Sequence, residues 1–322
     1  MQEMKIPTAE FKTFSDYKEA KTYLQKCTVP IVIKASGLAL GKGVAVCKKI
    51  NEAEKFLQSA MIEKIFGEAG KEVVIEEYLE GQEISIHAFS DGKTYSLFPT
   101  AQDHKPIGDG DTGPNTGGMG TIAPVPWVEK ESIENIEESI VRPALKGLTE
   151  KGRNFTGCLY PGLKMTSEGP KVLEFNARFG DPEAQSYMRL LETDLLNIVE
   201  ACIDGTLSDL RVEWNSGYAA CIVIASGGYP GNYEKGKIIT GIEEAEKVSG
   251  VVVFHAGTKE ESGEIFTSGG RVLGVTAHAP TLKGALDCAY EGVSKIRFEG
   301  MQYRKDIGAK ALRFIDTRKH TY

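Results

Sequence analysis

Two strand-like segments, TGCLYPGLKMTS and KVLEFNAR, are separated only by the turn residues Glu168 to Pro170, which commits this stretch of chain to a β-hairpin. The second segment runs on as LEFNARFGDPE, from Leu173 to Glu183. Alternate side chains of a strand share a face, so Glu174, Asn176 and Arg178 point the same way and offer two oxygen ligands and a bidentate phosphate binder. Hard oxygen donors suit Mg²⁺, which usually shares such carboxylates with nucleotide phosphates. Taken alone, the run fits equally well a strand entering a Gly-Asp-Pro turn with its polar face in water.

With 322 residues the chain has room for two or three domains and a substantial core. Its six cysteines (Cys27, Cys47, Cys158, Cys202, Cys221 and Cys288) are scattered and form no Cys-x-x-Cys pair, so they read as reduced core residues of a cytoplasmic protein. The 38 Lys and Arg against 45 Asp and Glu give a net charge of −7, and no sustained basic run marks a surface for nucleic acid or anionic membrane. Backbone amides and a few placed cations can still hold a small anion. No apolar run reaches membrane-spanning length, and the start, MQEMKIPTAEF, lacks the pattern of a signal peptide.

The segments VPIVIKAS and GVAVCKK read as strands joined by the glycine-rich GLALGKG, and NEAEKFLQSAMIEKIFG reads as a helix leading to the strand EVVIEEYL. Next, EISIHAFSDGKTYSLFP alternates with period two around an Asp-Gly turn, which makes the unit α+β. QDHKPIGDGDTGPNTGGMG is too rich in glycine and polar residues for a regular element and reads as a long functional loop. SIENIEESIVRPALKGLTEKG reads as a helix that Pro143 kinks or breaks, and LLETDLLNIVEACIDGTL as an amphipathic helix. A strand-rich region follows, with YAACIVIAS, VVVFHAG and RVLGVTAHA, then the helix TLKGALDCAYEGVSKI and a frayed tail, RKHTY.

Lys34 ends the strand IVIKAS, and Lys42 lies between Gly41 and Gly43, so two ammonium groups are placed for nucleotide phosphates. A lone Gly-x-Gly is weak, and the spacing is not that of a P-loop. In EEYLEGQE the backbone of Glu77 and Leu79 can read an adenine edge and Glu83 can accept from ribose hydroxyls; in isolation the segment is a solvated acidic turn. Asp103, His104 and Lys105 resemble an acid/base group, and the amides of Asn115 to Gly120 an anion-binding nest. His87, His255 and His278 lie in alternating strands, where a packed or surface histidine is expected. No Gly-x-Ser-x-Gly elbow supports serine hydrolysis.

In this order, Lys34 with its glycine loop, EEYLEGQE, QDHK with GPNTGGMG, and LEFNARFGDPE resemble the glycinamide ribonucleotide synthetases, a family of ATP-grasp ligases. The resemblance continues through TGCLYPGLK, ASGGYPGNY, FHAGT, GGRVLGVTA and YRKDIG, roughly from Ile6 to Leu312. It implies an ATP-grasp fold, with two α+β subdomains clasping ATP and a small strand-rich C-terminal domain. The expected parts are the end of an N-terminal or linker region at 1–27, a lid at 28–88, a central subdomain with the metal site at 89–210, the C-terminal domain at 211–314 and a tail at 315–322. It also implies ligation of glycine to 5-phosphoribosylamine with ATP and Mg²⁺ or Mn²⁺, with the glycine loop after Lys34 as the moving lid.

By matching positions, Glu76, Glu77, Tyr78 and Leu79 become the adenine hinge, Glu83 the ribose contact, Asn115 a nucleotide or substrate contact, and Lys34, Gly41, Lys42 and Gly43 nucleotide-binding residues. Glu174 and Asn176 become metal ligands, Arg178 and Lys34 catalytic, and Asp103, His104, Lys105, Gly117, Gly118 and Asp181 substrate-binding. Members of the family carry a further N-terminal domain that helps to bind the substrate phosphate. The start of this chain resembles the end of the linker leaving that domain, so a separately supplied N-terminal domain is an expected partner, and ATP binding is expected to survive better than ligation. Two other readings stand beside this one. Another purine-pathway carboxylate-amine ligase is disfavoured by QDHK and GPNTGGMG, and a nucleotide-binding remnant without catalysis remains.

Overall fold

In the computed structural model, residues 1–37, 39 and 43–319 are described, and they divide into two compact units. The first comprises Met1, Ile6–Gln82 and Lys164–Leu173. Its elements are β1 (Phe11–Phe14), α1 (Tyr17–Leu24), β2 (Ile31–Ala35), β3 (Val44–Cys47), α2 (Ile50–Met61) and β4 (Val73–Glu77). The strands form an antiparallel sheet in the order β1-β4-β2-β3. Period-two burial turns Ile31 and Ile33 of β2 and Val73 and Ile75 of β4 to one face, where they pack with Ala20, Leu24, Ala53, Leu57 and Ala60 of the two helices. Asp16 starts α1 by accepting the Glu19 N–H at 2.9 Å, an N-cap that satisfies one of the helix's free donors.

This unit starts earlier than the sequence suggested. Strand β1 lies within 1–27, yet it pairs with β4 from Phe11↔Glu76 to Phe14↔Val73, and the unit ends at Gln82 rather than 88. A short edge strand followed by a one-helix turn carries too little periodicity to be told from a linker.

The second unit comprises Gln2–Lys5, Glu83–Leu163 and Glu174–Tyr322. Its elements begin with β5 (Gln82–Ser85), β6 (Ala88–Asp91), β7 (Tyr95–Leu97), β8 (Gln102–Asp103), β9 (Pro106–Gly108), β10 (Thr112–Asn115), β11 (Gly120–Ala123), α3 (Lys130–Ile136) and α4 (Arg142–Glu150). They continue with β12 (Thr156–Thr166), β13 (Gly169–Asn176), α5 (Glu183–Leu190), α6 (Leu195–Asp204), β14 (Tyr218–Ala225), β15 (Ile238–Ile239), α7 (Ile242–Glu246), β16 (Val251–His255), β17 (Thr258–Glu261), β18 (Glu264–Thr267), β19 (Arg271–Ala279), α8 (Leu282–Lys295) and α9 (Ala309–Lys319). The hairpin β12–β13 forms as expected and continues its sheet into β6 and β7.

A second sheet runs in the order β16-β19-β14-β11-β8. Strand β14 is buried along nearly its whole length, because β11 and β19 flank it and Leu282, Leu286, Ala289 and Val293 of α8 pack with its Ile222 and Ile224. Strand pairing therefore joins residues 102–123 directly to the strand-rich region expected as a separate domain at 211–314, and the contacts place both in one unit.

Three further segments differ from their sequence reading. The stretch 102–120 contains paired strands: β8 pairs with β11, and β9 with β10 from Gly108↔Thr112 to Pro106↔Asn115. The helix expected from Leu190 starts only at Leu195, as α6, with Asp194 capping it by accepting the Leu196 N–H at 2.8 Å, and α5 ends at Leu190, where the expected segment begins. The tail is helical through Lys319. Pro143 lies inside an unbroken helical run from Lys130 to Glu150, where a π turn at Glu137–Val141 joins α3 to α4 directly before it, so the proline marks a local irregularity rather than a break.

Candidate active site

In the first unit, Lys34 ends β2 with its Nζ 2.7 Å from Glu76 Oε2 and donating to the Leu173 carbonyl at 3.0 Å. Both side chains are largely shielded, at 22% and 15% exposure, so the ammonium is held in one place by two acceptors. Leu173 directly precedes Glu174 in sequence. In the hinge segment, Glu77 donates its N–H to the Glu10 carbonyl at 2.9 Å and accepts the Glu10 N–H on Oε1 at 3.0 Å, so its amide is already engaged in the sheet. Leu79 is buried, and Tyr78 is exposed beneath the Lys164 ammonium, 5.9 Å from the ring centroid. Gly43 follows the loop and accepts the Ala35 N–H at 2.8 Å. Gly41 and Lys42 lie outside the described residues.

In the second unit, the end of β13 and the bend that follows it bring Glu174, Asn176 and Arg178 together. Asn176 Nδ2 is 3.1 Å from Glu174 Oε1, Arg178 Nη2 is 3.4 Å from Asn176 Oδ1, and Arg178 Nη1 donates to the Phe179 carbonyl at 2.9 Å. Glu174 and Arg178 are exposed. A carboxylate and an amide this close can turn two hard oxygens toward one cation. Among the described residues no cluster of three or more His, Cys, Asp or Glu forms a closed cage. Such a donor set fits Mg²⁺, which needs one or two protein oxygens and fills its octahedron with water and phosphate.

Behind this edge lies a buried polar cluster. Glu183, 2% exposed, accepts from Ser85 at 2.7 Å and from the Tyr160 hydroxyl at 2.6 Å on Oε1. The side chain of Asp103 is 4% exposed, its Oδ2 lies 3.5 Å from Lys105 Nζ, and its Oδ1 has no hydrogen-bond partner. Burial, reinforced by the Glu183 charge, pushes the Asp103 carboxyl up to about 8. Burial opposes the charge on Lys105, but Asp103, Glu183, Glu83 and Glu174 outweigh it and raise the Lys105 ammonium.

His104 does not serve as an acid/base group. Its Nε2 accepts the Gly308 N–H at 3.2 Å, so Nδ1 carries the proton donated to the Gly120 carbonyl at 3.0 Å, and burial holds the ring down to about 4. Both ring nitrogens are occupied by backbone, which makes His104 a packed histidine. His87 behaves alike, with its Nε2 accepting the Gly180 N–H at 3.0 Å, Nδ1 paired with the Tyr187 hydroxyl at 3.0 Å, and its ring stacked on Tyr160.

The anion-binding nest expected at Asn115 to Gly120 is also filled from within. The N–H groups of Thr116 and Met119 donate to the carbonyls of Lys105 and His104, that of Gly117 to the Tyr229 hydroxyl, and that of Gly118 to Thr116 Oγ1. Asn115 is exposed at the end of β10, and Glu83 is half-buried. Asp181 is engaged by Arg271, whose Nη2 donates to Oδ2 at 2.7 Å and whose Nη1 donates to the Asp181 and Gly117 carbonyls, each at 2.9 Å.

Tyr229, Arg271 and Arg304 were not singled out from the sequence, and Glu183, read there as an exposed end of LEFNARFGDPE, is buried. Arg304 is 1% exposed; it pairs with Asp111 at 2.9 Å and Asp306 at 2.8 Å and donates to the Pro106 carbonyl at 3.2 Å. The signals were the quoted runs GGRVLGVTA and YRKDIG, which carry no spacing that announces a partner so far away in the chain.

The antiparallel sheet of the first unit, the hairpin ending in a carboxylate-amide-guanidinium edge and the mixed second unit define an ATP-grasp protein. Fold likeness agrees: the biotin carboxylase domain of *Hydrogenobacter thermophilus* 2-oxoglutarate carboxylase, solved with MgADP and bicarbonate, superposes with a TM-score of 0.69 at 18% identity, covering 94% of this chain and 65% of that one. The chain belongs to the phosphoribosylglycinamide synthetase family: the family's ATP-grasp (A) domain matches residues 1–184 and its C domain residues 219–310. A phosphoribosylamine–glycine ligase of *Caldanaerobacter subterraneus* is 48% identical over 309 residues, 96% of this chain and 73% of the relative. The human trifunctional purine biosynthetic protein adenosine-3 is 47% identical over 320 residues, 98% of this chain and 32% of that protein. The crystal structure of the *Thermotoga maritima* phosphoribosylamine–glycine ligase superposes with a TM-score of 0.88 at 37% identity, covering 95% of this chain and 76% of that one.

Proposed function

We propose that the chain carries out the ATP-dependent ligation of glycine to 5-phosphoribosylamine, giving glycinamide ribonucleotide, ADP and phosphate, in cytoplasmic purine biosynthesis. The observation that carries this reading is the Glu174–Asn176–Arg178 edge, set within the family match over residues 1–184. The glycine carboxylate attacks the γ-phosphorus of ATP and releases ADP, and the resulting glycyl phosphate is attacked at its carbonyl carbon by the amine of phosphoribosylamine. An amide forms, phosphate leaves, and the amine gives up a proton.

Glu174 and Asn176 would hold Mg²⁺, or Mn²⁺ in its place, which when bound would supply Lewis-acid neutralisation of phosphate charge. Arg178, fixed at the Phe179 carbonyl and facing water, offers its remaining N–H groups to the transferring phosphoryl oxygens. In the first unit, Glu76 to Leu79 are assigned to the adenine, with the Leu79 backbone as the reading edge because the Glu77 amide is engaged. Lys34 is assigned to the nucleotide phosphates, Glu83 to the ribose, and Asn115 to the nucleotide or substrate. Asp103, with its unpartnered Oδ1, is assigned to the amino group of a substrate, whose positive charge would add to that of Lys105 in favouring the ionised carboxyl against burial. Gly117, Gly118 and Asp181 are assigned to the substrate through the loops they build, Asp181 with its carboxylate held by Arg271.

The test is ADP release coupled to a reporter, with glycine and phosphoribosylamine omitted in turn. Release should require both, and Arg178→Ala should lower it on the order of 100-fold while nucleotide still binds. Release that ignores glycine, or an Arg178→Ala protein as fast as its parent, would reject the proposal.

A further inference from the structure

The two loops that carry Gly118 and Asp181 are fastened together by one side chain from another part of the unit. Arg271, the first residue of β19, is 21% exposed at its side chain. Its Nη1 donates to the carbonyls of Gly117 and Asp181, each at 2.9 Å, with the Gly118 carbonyl at 3.5 Å, and its Nη2 donates to Asp181 Oδ2 at 2.7 Å. Tyr229 adds a second tie by accepting the Gly117 N–H at 3.0 Å. What the latch closes over is the Asp103 carboxylate. At Gly118, where φ is +120°, a Cβ would lie 2.4 Å from Pro182 Cδ and 2.6 Å from Asp103 Oδ1, so only glycine lets the backbone lie this close to both. At Gly117 a Cβ would meet the guanidinium carbon at 2.8 Å, so this position too is shaped to receive Arg271.

We propose that Arg271 is a positioning residue for ligation: acting through Gly118 and Asp181, it holds the backbone wall over the Asp103 carboxylate and sets how the amino group of a substrate reaches it. The inference rests on the ligase reading for its kinetic consequence. The physical argument is one of geometry. Three carbonyls and a carboxylate converge on a planar group with donors in a fixed fork, and a lysine ammonium, a point charge on a flexible stem, cannot span them. The wall is made of two loop segments, and without the latch each would keep only its own local hydrogen bonds.

The test compares Arg271→Ala, Arg271→Lys, Asp181→Asn and the double variant Arg271→Ala/Asp181→Asn with the parent protein. For Arg271→Ala the KM for glycine or phosphoribosylamine should rise about tenfold or more while that for ATP stays within about twofold, and Arg271→Lys should recover only part of the loss. Adding Asp181→Asn to Arg271→Ala should cost less than about twofold more, because the latch is already open. Full additivity would make Arg271 a direct substrate contact, and an unchanged KM, or an equal change for ATP with a lowered melting temperature, would reduce it to a structural residue; each overturns the proposal. Hydrogen exchange at the Gly117 and Gly118 amides gives a reading free of catalysis. It should quicken at least about tenfold in Arg271→Ala, and unchanged exchange overturns the latch. A parent protein that ligates nothing retires the ligase reading and with it the kinetic role, and exchange then decides whether the latch exists.

Discussion

His87 and His104 are both neutral because each imidazole was taken from water and given a backbone N–H to accept, and an imidazolium has no lone pair left for that bond. Burial is the largest influence on each, and it holds both near 4, against an ordinary value of 6.5. The sign follows from linkage. Below about 6.5 the unfolded chain takes up two protons that the folded protein refuses until about 4, so stability present above 6.5 is lost as pH falls through this window, on the order of 3 kcal/mol per histidine. Asp103 works in the opposite sense, since its folded carboxyl keeps a proton up to about 8 that the unfolded one gives up near 3.8, but it is one group against two. Imidazole NMR should therefore find both histidines neutral at pH 5, and the urea midpoint should fall between pH 6.5 and 4. A midpoint that is flat across that window would show that the rings are hydrated. At this scale the sequence made Glu174, Asn176 and Arg178 readable, because they are near neighbours in one short run. It did not reveal Arg271, whose acceptors lie 154 and 90 residues away, or the engaged His104 ring, whose partners are the backbone of Gly120 and Gly308.

The ribbon β9–β10 has little apolar side-chain area of its own, and its stability comes from what clamps it. Arg304 meets Asp111 within it and the Pro106 carbonyl, Asp306 accepts the Gly110 N–H at 2.8 Å, and Asp109 accepts the Lys305 N–H at 2.8 Å. Although burial opposes ionisation of Asp306, the bonds from Arg304 and the Gly110 N–H prevail and hold its carboxyl at about 2, so the clamp stays charged at any physiological pH. Arg304→Met should cost about 3 kcal/mol, since two carboxylates lose a buried partner, with the loss read from urea unfolding at an unchanged m-value. A loss below about 0.5 kcal/mol would place the ribbon's stability elsewhere. The elements themselves were largely legible where periodicity was long: β2, β4, the β12–β13 hairpin, β14, β19 and α8 fall where alternation or helical spacing put them. The ribbon was read as loop because its partners lie in residues 304–310, and α5 was missed because it is short and starts inside the Gly-Asp-Pro-Glu turn that closes the polar run LEFNARFGDPE.

The chain spans 73% of the C. subterraneus ligase and 59% of the chloroplastic ligase of Arabidopsis thaliana. No helix among the described residues is long and apolar enough to cross a membrane. The compositional change near residues 208–217 lies just ahead of the stretch, 219–310, that the family's C domain matches, and strand pairing nonetheless crosses it. That crossing matters for how such a protein can be cut and rejoined. Strand β14 lies between β11 and β19, so a gene divided near residue 211 would leave each half with an open sheet edge and a template for misassembly. A break near Gln82 and Glu83 would leave that sheet whole but would cut β5 and separate Lys164–Leu173 from the rest of the first unit, so neither position divides the chain without opening a strand or a unit.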